Sequence, residues 1–160
     1  MDEFELIKNY FQKISINNPG AKDLNDDVFF DKNKKLVVSI DTYNEGVHFP
    51  NFKYPNLVIK KIIRSWISDL IAKGVKPKYY FISGSGDKNH FTKYNLRLIS
   101  DTLRKEQSRY KIKLSGGDTT VAKISSFTVT CVGFAENIIR RNKAKNKDET
   151  RRKMMLSLKK

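Results

Sequence analysis

Five aspartates fall where the chain could present them together: Asp26 and Asp27 side by side at the mouth of a short apolar run, Asp41 at the end of another, Asp69 at the edge of an amphipathic segment, and Asp118 after a pair of glycines. Adjacent like charges repel unless a cation or a helix end offsets them, and for Asp26 and Asp27 a metal is the simplest offset. Hard cations such as Mg²⁺ take oxygen ligands, and moving a phosphoryl group between two anions needs metal charge to overcome their repulsion. Each residue also has a plainer reading. Asp69 could pair with a nearby base, and the polar residues after Asp41 could be a solvated surface loop.

The elements that must position these side chains follow from local pattern. Leu36, Val37, Val38 and Ile40 predict a strand that gives way after Asp41 to a polar loop carrying Thr42, Asn44, Glu45 and His48. A short strand around Val28 to Phe30 precedes it, with Asp31 to Lys35 as the turn between them. From Asn56 to Gly74 the apolar residues Val58, Ile59, Ile62, Ile63, Trp66, Ile67 and Leu70 form one broad helical stripe, Lys60, Lys61 and Arg64 lie opposite, and Gly74 ends the helix. Pro77 to Ser83 predicts a buried strand, Gly84 to Gly86 a turn, and Phe91 to Tyr110 a second amphipathic helix. A strand from Lys111 to Leu114 leads into Ser115, Gly116, Gly117, Asp118, Thr119 and Thr120, where two glycines let the backbone turn sharply and pass close to a ligand. Ser125 to Ala135 closes the sheet. At the start of the chain, Phe4, Leu6, Ile7, Tyr10, Phe11 and Ile14 space an apolar stripe along a short helix with Asp2 and Glu3 in its first turn.

The 160 residues suffice for one domain with a single core. A formal charge of +15 invites a polyanionic partner. The lysines, however, are scattered through every segment rather than gathered on one face, which argues against nucleic acid. Cys131 is the single cysteine and sits in an apolar run, so neither a disulfide framework nor a CxxC metal site can form. The N-terminus carries acids where a signal peptide carries basic residues, and no apolar stretch is long enough to span a bilayer. These features predict a soluble cytoplasmic protein without membrane partners.

In order and spacing, NDD at Asn25 to Asp27, SIDTYNEGVHF at Ser39 to Phe49, SDLIAKGVKP at Ser68 to Pro77 and SGGDTT at Ser115 to Thr120 resemble thiamine-monophosphate kinase. That family is similar in turn to aminoimidazole ribonucleotide synthetase and selenophosphate synthetase. The resemblance implies an α+β fold, a mixed sheet of about four strands with helices on one face, and a homodimer formed through the other. It implies transfer of the ATP γ-phosphate to thiamine monophosphate, giving thiamine diphosphate, with no covalent nucleophile on the enzyme. Asp26, Asp27, Asp41, Asp69 and Asp118 would hold Mg²⁺ against the ATP phosphates. Thr42, Gly116, Gly117 and Asp118 would line the nucleotide, and His48 would lie on the thiamine phosphate side. A related ATP-using synthetase is the alternative within the group, and a non-catalytic module with a basic binding tail is the alternative outside it.

The chain departs from the family pattern in three places. Asn25 stands where the family has glycine, and Trp66 stands where it has a small or polar residue, one turn before Asp69. The family continues into a second α/β domain, whereas this chain turns basic and ends. The expected organisation is therefore an N-terminal ATP-binding, Mg-binding and dimerisation domain over residues 1–136, and a basic tail over 137–160, disordered or aberrant, with the C-terminal domain absent.

Overall fold

The computed structural model describes residues 2–139. Its centre is helix α2, Pro55–Ala72, whose stripe of Val58, Ile59, Ile62, Ile63, Trp66, Ile67, Leu70 and Ile71 is buried against one face of a five-stranded sheet. Apolar residues recurring every three to four positions leave the helix no stable alternative to packing on an apolar layer. Its end is set by Gly74 at φ 82°, with the Gly74 N–H on the Ile71 carbonyl and the Val75 N–H on the Leu70 carbonyl, a Schellman turn. Trp66 packs fully buried with its ring 5.8 Å from that of Tyr80, so the indole fills core.

The strands are β1 Phe29–Asp31, β2 Leu36–Asn44, β3 Lys76–Gly86, β4 Lys113–Val121 and β5 Ser126–Phe134, in the order β1-β2-β5-β3-β4. All neighbours are antiparallel except β3 and β4, which run parallel because helix α3, Lys93–Tyr110, carries the chain back between them. Thr92 caps α3, its hydroxyl accepting from the Asn95 N–H at 3.1 Å. The Arg64 guanidinium of α2 grips the Glu106 carboxylate of α3 through two bonds of 2.8 and 3.0 Å.

Several local expectations change. The strand through Val37 does not stop at Asp41 but pairs with β5 as far as Asn44, so Asp41 stands within the sheet, opposite Val129. Gly84 to Gly86 continue β3 rather than turning. Ser115 to Thr120 are likewise strand, held in register with Phe81 to Ser85 after a bulge at Ser115. β5, expected to close the sheet, lies at its middle. The five strands agree with the expected mixed sheet of about four.

The N-terminal segment begins as a capped helix, α1 Glu3–Leu6, then tightens and loosens through a π-helical turn at Ile7–Phe11 and a 3₁₀ turn at Gln12–Ser15. Ile7 is half-buried, while the segment's other apolar residues stay outward, Ile14 at 79% exposed. Asn25 has φ −95° and needs no left-handed tolerance, and the positive φ values fall instead on Lys22, Asp23 and Leu24 just before it. Residues past the expected boundary at 136 still pack: Ile138 lies against the core and the Ile139 N–H donates to the Lys73 carbonyl at 2.9 Å. The remainder of the expected basic tail lies outside the described residues.

Candidate active site

Three residues of α2 and its C-cap, each four positions from the last, form a polar edge beside the apolar stripe: Lys61, Ser65, Asp69 and Lys73. A helix stacks such positions nearly in line. Each faces a different partner. The Lys61 ammonium donates to the His48 carbonyl. Ser65 hydrogen-bonds the Tyr43 phenol, and Asp69 stands near enough to Asp41 to raise its pKa. Lys73 contacts both Asp26 and Asp27.

Alternation along β2 supplies the opposite wall. Ser39, Asp41 and Tyr43 point toward α2, so the aspartate is carried into a partly buried gap between sheet and helix. Burial raises the Asp41 pKa, and the charges of Asp69 and then Asp27 push it further. The Tyr43 phenol is pushed up to about 12, mainly by burial. Burial raises the buried Cys131 thiol well above its ordinary value, with a further push from Asp41, so this cysteine is a core residue and no nucleophile. Asp41 is thus repelled by two further carboxylates, those of Asp69 and Asp27.

Lys73 is the cation that sequence reasoning missed. Its side chain is 9% exposed and that of Asp26 is 5%, so the pair is closed to solvent, while Asp27 at 3.5 Å keeps a half-exposed carboxylate. The offset for the adjacent aspartates, expected to be a metal, is here an ammonium at the end of a helix. The signal was the spacing from Asp69 to Lys73, one turn on the same edge.

The sheet divides the remaining expected residues. Thr42 follows Asp41 and so points to the other face, where its hydroxyl shares a 2.9 Å hydrogen bond with that of Thr128. Register continues the row from Thr128 to Ser83 and from Ser83 to Asp118, so Asp118 lies on that open face, three strands from β2. Gly116 and Gly117 are required by the strand itself. Gly116 has φ 155°, and a Cβ on Gly117 would stand 1.9 Å from the Ile82 carbonyl oxygen. His48 is exposed, its ring edge against Tyr43 at 5.7 Å. Its Nδ1 accepts from the Asn44 N–H at 2.9 Å, which leaves the Nε2–H of the neutral ring as an outward donor.

Residues 25–135 match the model of the AIR synthase related protein, N-terminal domain. The chain belongs to this AIR synthase related family. It is 30% identical over 148 residues to a thiamine-monophosphate kinase of Nitrosopumilus maritimus, covering 92% of this chain and 46% of that protein. It is 33% identical over 143 residues to one of Haemophilus influenzae, covering 85% and 42%. The solved structure of AaThiL complexed with AMPPCP and TMP superposes with a TM-score of 0.74 at 27% identity, over 87% of this chain and 44% of that one. Thiamine-monophosphate kinase from Aquifex aeolicus superposes at 0.64 with 26% identity, over 81% and 45%. The chain therefore spans about half the length of the relatives it matches.

For an AIR synthase related domain that takes Mg²⁺, the gap offers a fitting donor set. Its donor atoms are carboxylate oxygens, the kind that a hard cation takes. Among the described residues no three acidic, histidine or cysteine side chains close into a cage. Mg²⁺ is ordinarily held by one or two carboxylates, with substrate phosphates and water completing its shell. The residues suit an ion that arrives with a phosphate.

Proposed function

We propose that this chain is the nucleotide- and metal-binding half of a thiamine-monophosphate kinase, an enzyme that phosphorylates thiamine monophosphate with ATP to give thiamine diphosphate. The observation that carries the proposal is the placing of Asp41 on the buried face of β2, half-buried and within electrostatic reach of Asp69 and Asp27. The names of the relatives, and a similar structure complexed with AMPPCP and TMP, supply the substrates.

In this reading Asp41, with Asp69 and Asp27 in electrostatic reach of it, would face a Mg²⁺ that arrives with the phosphates, and the ion when bound would offset the charge of the phosphate oxygens. Ser65 fixes Tyr43, and Tyr43 forms the floor on which the His48 ring rests. Lys61 holds the His48 backbone, so the Nε2–H is presented from a braced loop toward a phosphate oxygen. The acceptor is already an anion at neutral pH. No side chain need act as a base, and positioning with charge neutralisation carries the catalysis.

The nucleotide-lining role expected of Thr42, Gly116, Gly117 and Asp118 belongs to a homodimer paired through the open face of the sheet. That face exposes Ile40 at 66%, with Phe81 and Phe134 also partly uncovered, apolar side chains that a second sheet would cover. A cytoplasmic setting is part of the same proposal. Among the described residues no helix is long and apolar enough to cross a membrane.

The test is calorimetric titration of the chain with a non-hydrolysable ATP analogue, with and without Mg²⁺, followed by addition of a separately produced C-terminal half of a relative to seek activity. Magnesium-dependent binding is expected. A folded chain that binds no nucleotide at millimolar concentration would overturn the proposal.

A further inference from the structure

The turn that presents His48 is closed by its own backbone: the Gly46 N–H meets the Phe49 carbonyl at 2.8 Å, and the Val47 and His48 N–H groups share the Asn44 carbonyl at 3.2 and 2.8 Å. Gly46, Val47 and His48 are all exposed, so the place of the turn depends on what grips its base. That base is Glu45. Its Oε2 accepts from the Ser125 hydroxyl at 2.8 Å and the Ser125 N–H at 3.2 Å, and a third contact of 3.2 Å comes from His90 Nε2, 45 residues along the chain. A carboxylate oxygen that already takes two donors is an acceptor for the third, so Nε2 carries the proton. His90 is itself firmly placed. Its N–H donates to Asp87 Oδ1 at 3.0 Å, and its carbonyl accepts from the Asn95 side-chain amide, in the first turn of α3, at 2.9 Å. Its ring lies 5.8 Å from that of Phe52, which stacks on Phe127 at 5.4 Å. Nδ1 faces Asp87, 3.0 Å from the N–H and 2.6 Å from Oδ1, and either bond keeps Nε2 turned to Glu45.

We infer that His90 is a positioning residue for His48: through its Nε2–H bond to Glu45 it holds the Glu45–Phe49 turn, and with it the outward donor of the His48 ring, in one place. The inference rests on the proposed role of His48 toward a phosphate oxygen. The bond, and not the bulk of the ring, does the holding. Phe49, Phe52 and Phe127 already pack on one another, whereas His90 supplies the one donor to Glu45 that does not come from Ser125 among the described residues. It is also the donor that ties the turn to the β3 side of the sheet, since Ser125 only fastens Glu45 to the start of β5. A bond between a charged acceptor and a ring that is 15% exposed is stronger than one left to water, which suits it to fixing a solvent-facing turn.

Hydrogen exchange followed by nuclear magnetic resonance on the full chain separates bond from bulk. His90→Phe keeps a ring against Phe52 and removes the donor, whereas the side-chain amide of His90→Gln reaches the position of Nε2 and still donates. His90→Phe is expected to speed exchange at the Gly46, Val47 and His48 amides by about fivefold, with His90→Gln within about twofold of the wild type and the α2 amides unchanged in both. In the same samples inorganic phosphate is titrated against the ring signals of His48. The wild-type ring is expected to shift, and His90→Phe to need about threefold more phosphate for the same shift. Exchange at the turn that is unchanged in His90→Phe, or as fast in His90→Gln as in His90→Phe, would overturn the inference. A wild-type His48 ring that phosphate does not shift would instead overturn the reading of His48 as a phosphate donor, with the exchange rates still deciding whether His90 places the turn. If the α2 amides show His90→Phe unfolded, the wild-type ring decides through long-range nitrogen–proton spectra: a proton on His90 Nε2 supports the inference and a bare Nε2 refutes it.

Discussion

Asp41 of β2 and Asp69 of α2 lie within electrostatic reach of each other, and the charge of Asp69 raises the pKa of Asp41. Burial is the larger cause of the shift, so ionising the Asp41 carboxylate works against its environment. A folded-state pKa above the unfolded one makes the ionised group a cost at neutral pH, a cost that shrinks as pH falls toward the raised value. Asp41→Asn should therefore raise the melting temperature at pH 7 without ions, by roughly 2 °C or more, and the gain should fade on acidification. The same variant should lose Mg²⁺-dependent binding of the ATP analogue. Scanning calorimetry from pH 4 to pH 8 beside the nucleotide titration checks both halves, and a variant less stable than the wild type at pH 7 would refute the electrostatic account.

Glu45 behaves in the opposite sense. Burial would raise its pKa, but the Ser125 hydroxyl at 2.8 Å, the Ser125 N–H at 3.2 Å and His90 Nε2 at 3.2 Å outweigh it and hold the carboxyl below its ordinary value. His90 is tied in turn to Asp87 through Nδ1 at 2.6 Å, so the turn after β3 is fastened to the corner between β2 and β5. A depressed pKa contributes stability that is present above the ordinary carboxylate range and lost as pH falls through the folded-state value. Glu45→Gln should cost about 1 kcal/mol at pH 7. Denaturant melts at intervals below pH 5 should then bring variant and wild type together, and a gap that persists in acid would assign the loss to packing instead.

The Arg64–Glu106 clamp ties α2 to α3, with the Glu106 side chain 7% exposed and that of Arg64 at 35%. Removing the arginine leaves a nearly buried carboxylate without its two bonds. Arg64→Met should destabilise the protein by about 2 kcal/mol, below the range for a wholly buried pair because water reaches the guanidinium. Arg64→Met/Glu106→Leu should recover most of that loss. Urea midpoints of the three proteins decide the matter, and a double variant no better than the single one would mean that packing of the long side chains, and not charge, is what α2 and α3 share.

Gly117 has no room for a side chain. A Cβ there would stand 1.9 Å from the Ile82 carbonyl oxygen, which is backbone of the neighbouring strand and cannot rotate away. Gly117→Ala should cost about 3 kcal/mol and loosen β4 from β3. Hydrogen exchange should quicken at the amides that pair these strands while those of α2 keep their protection. Uniform loss of protection, or none, would contradict this placement of the strain.

The sequence by itself determined the elements and the family. The stripe from Val58 to Leu70 could only be a helix with a buried face, because its period is fixed by local geometry. The alternating run from Ser125 to Ala135 could only be a strand, and four motifs in order identified the kind of protein. Local pattern also carried errors of a consistent kind. Glycines and polar residues at Ser115 to Thr120 read as a turn, since isolated chains bend there, but pairing with β3 holds them extended. The apolar stripe from Phe4 to Ile14 read as a packed face, and packing depends on a surface that only the rest of the fold could supply.

What tertiary structure alone decided was which charges meet. Asp41 and Thr42 are neighbours in sequence and lie on opposite faces of the sheet, because side chains on a strand alternate. Asp118 joins the Thr42 face through register across β5 and β3, a relationship no spacing along the chain reveals. Lys73 meets Asp26 from 47 residues away because a Schellman turn stops α2 at the level of the Asp26–Asp27 turn. Residue types and local period are properties of the chain. Which residues come to share a face, a gap or a counter-charge is a property of packing, where burial makes the energy of each pairing large enough to matter.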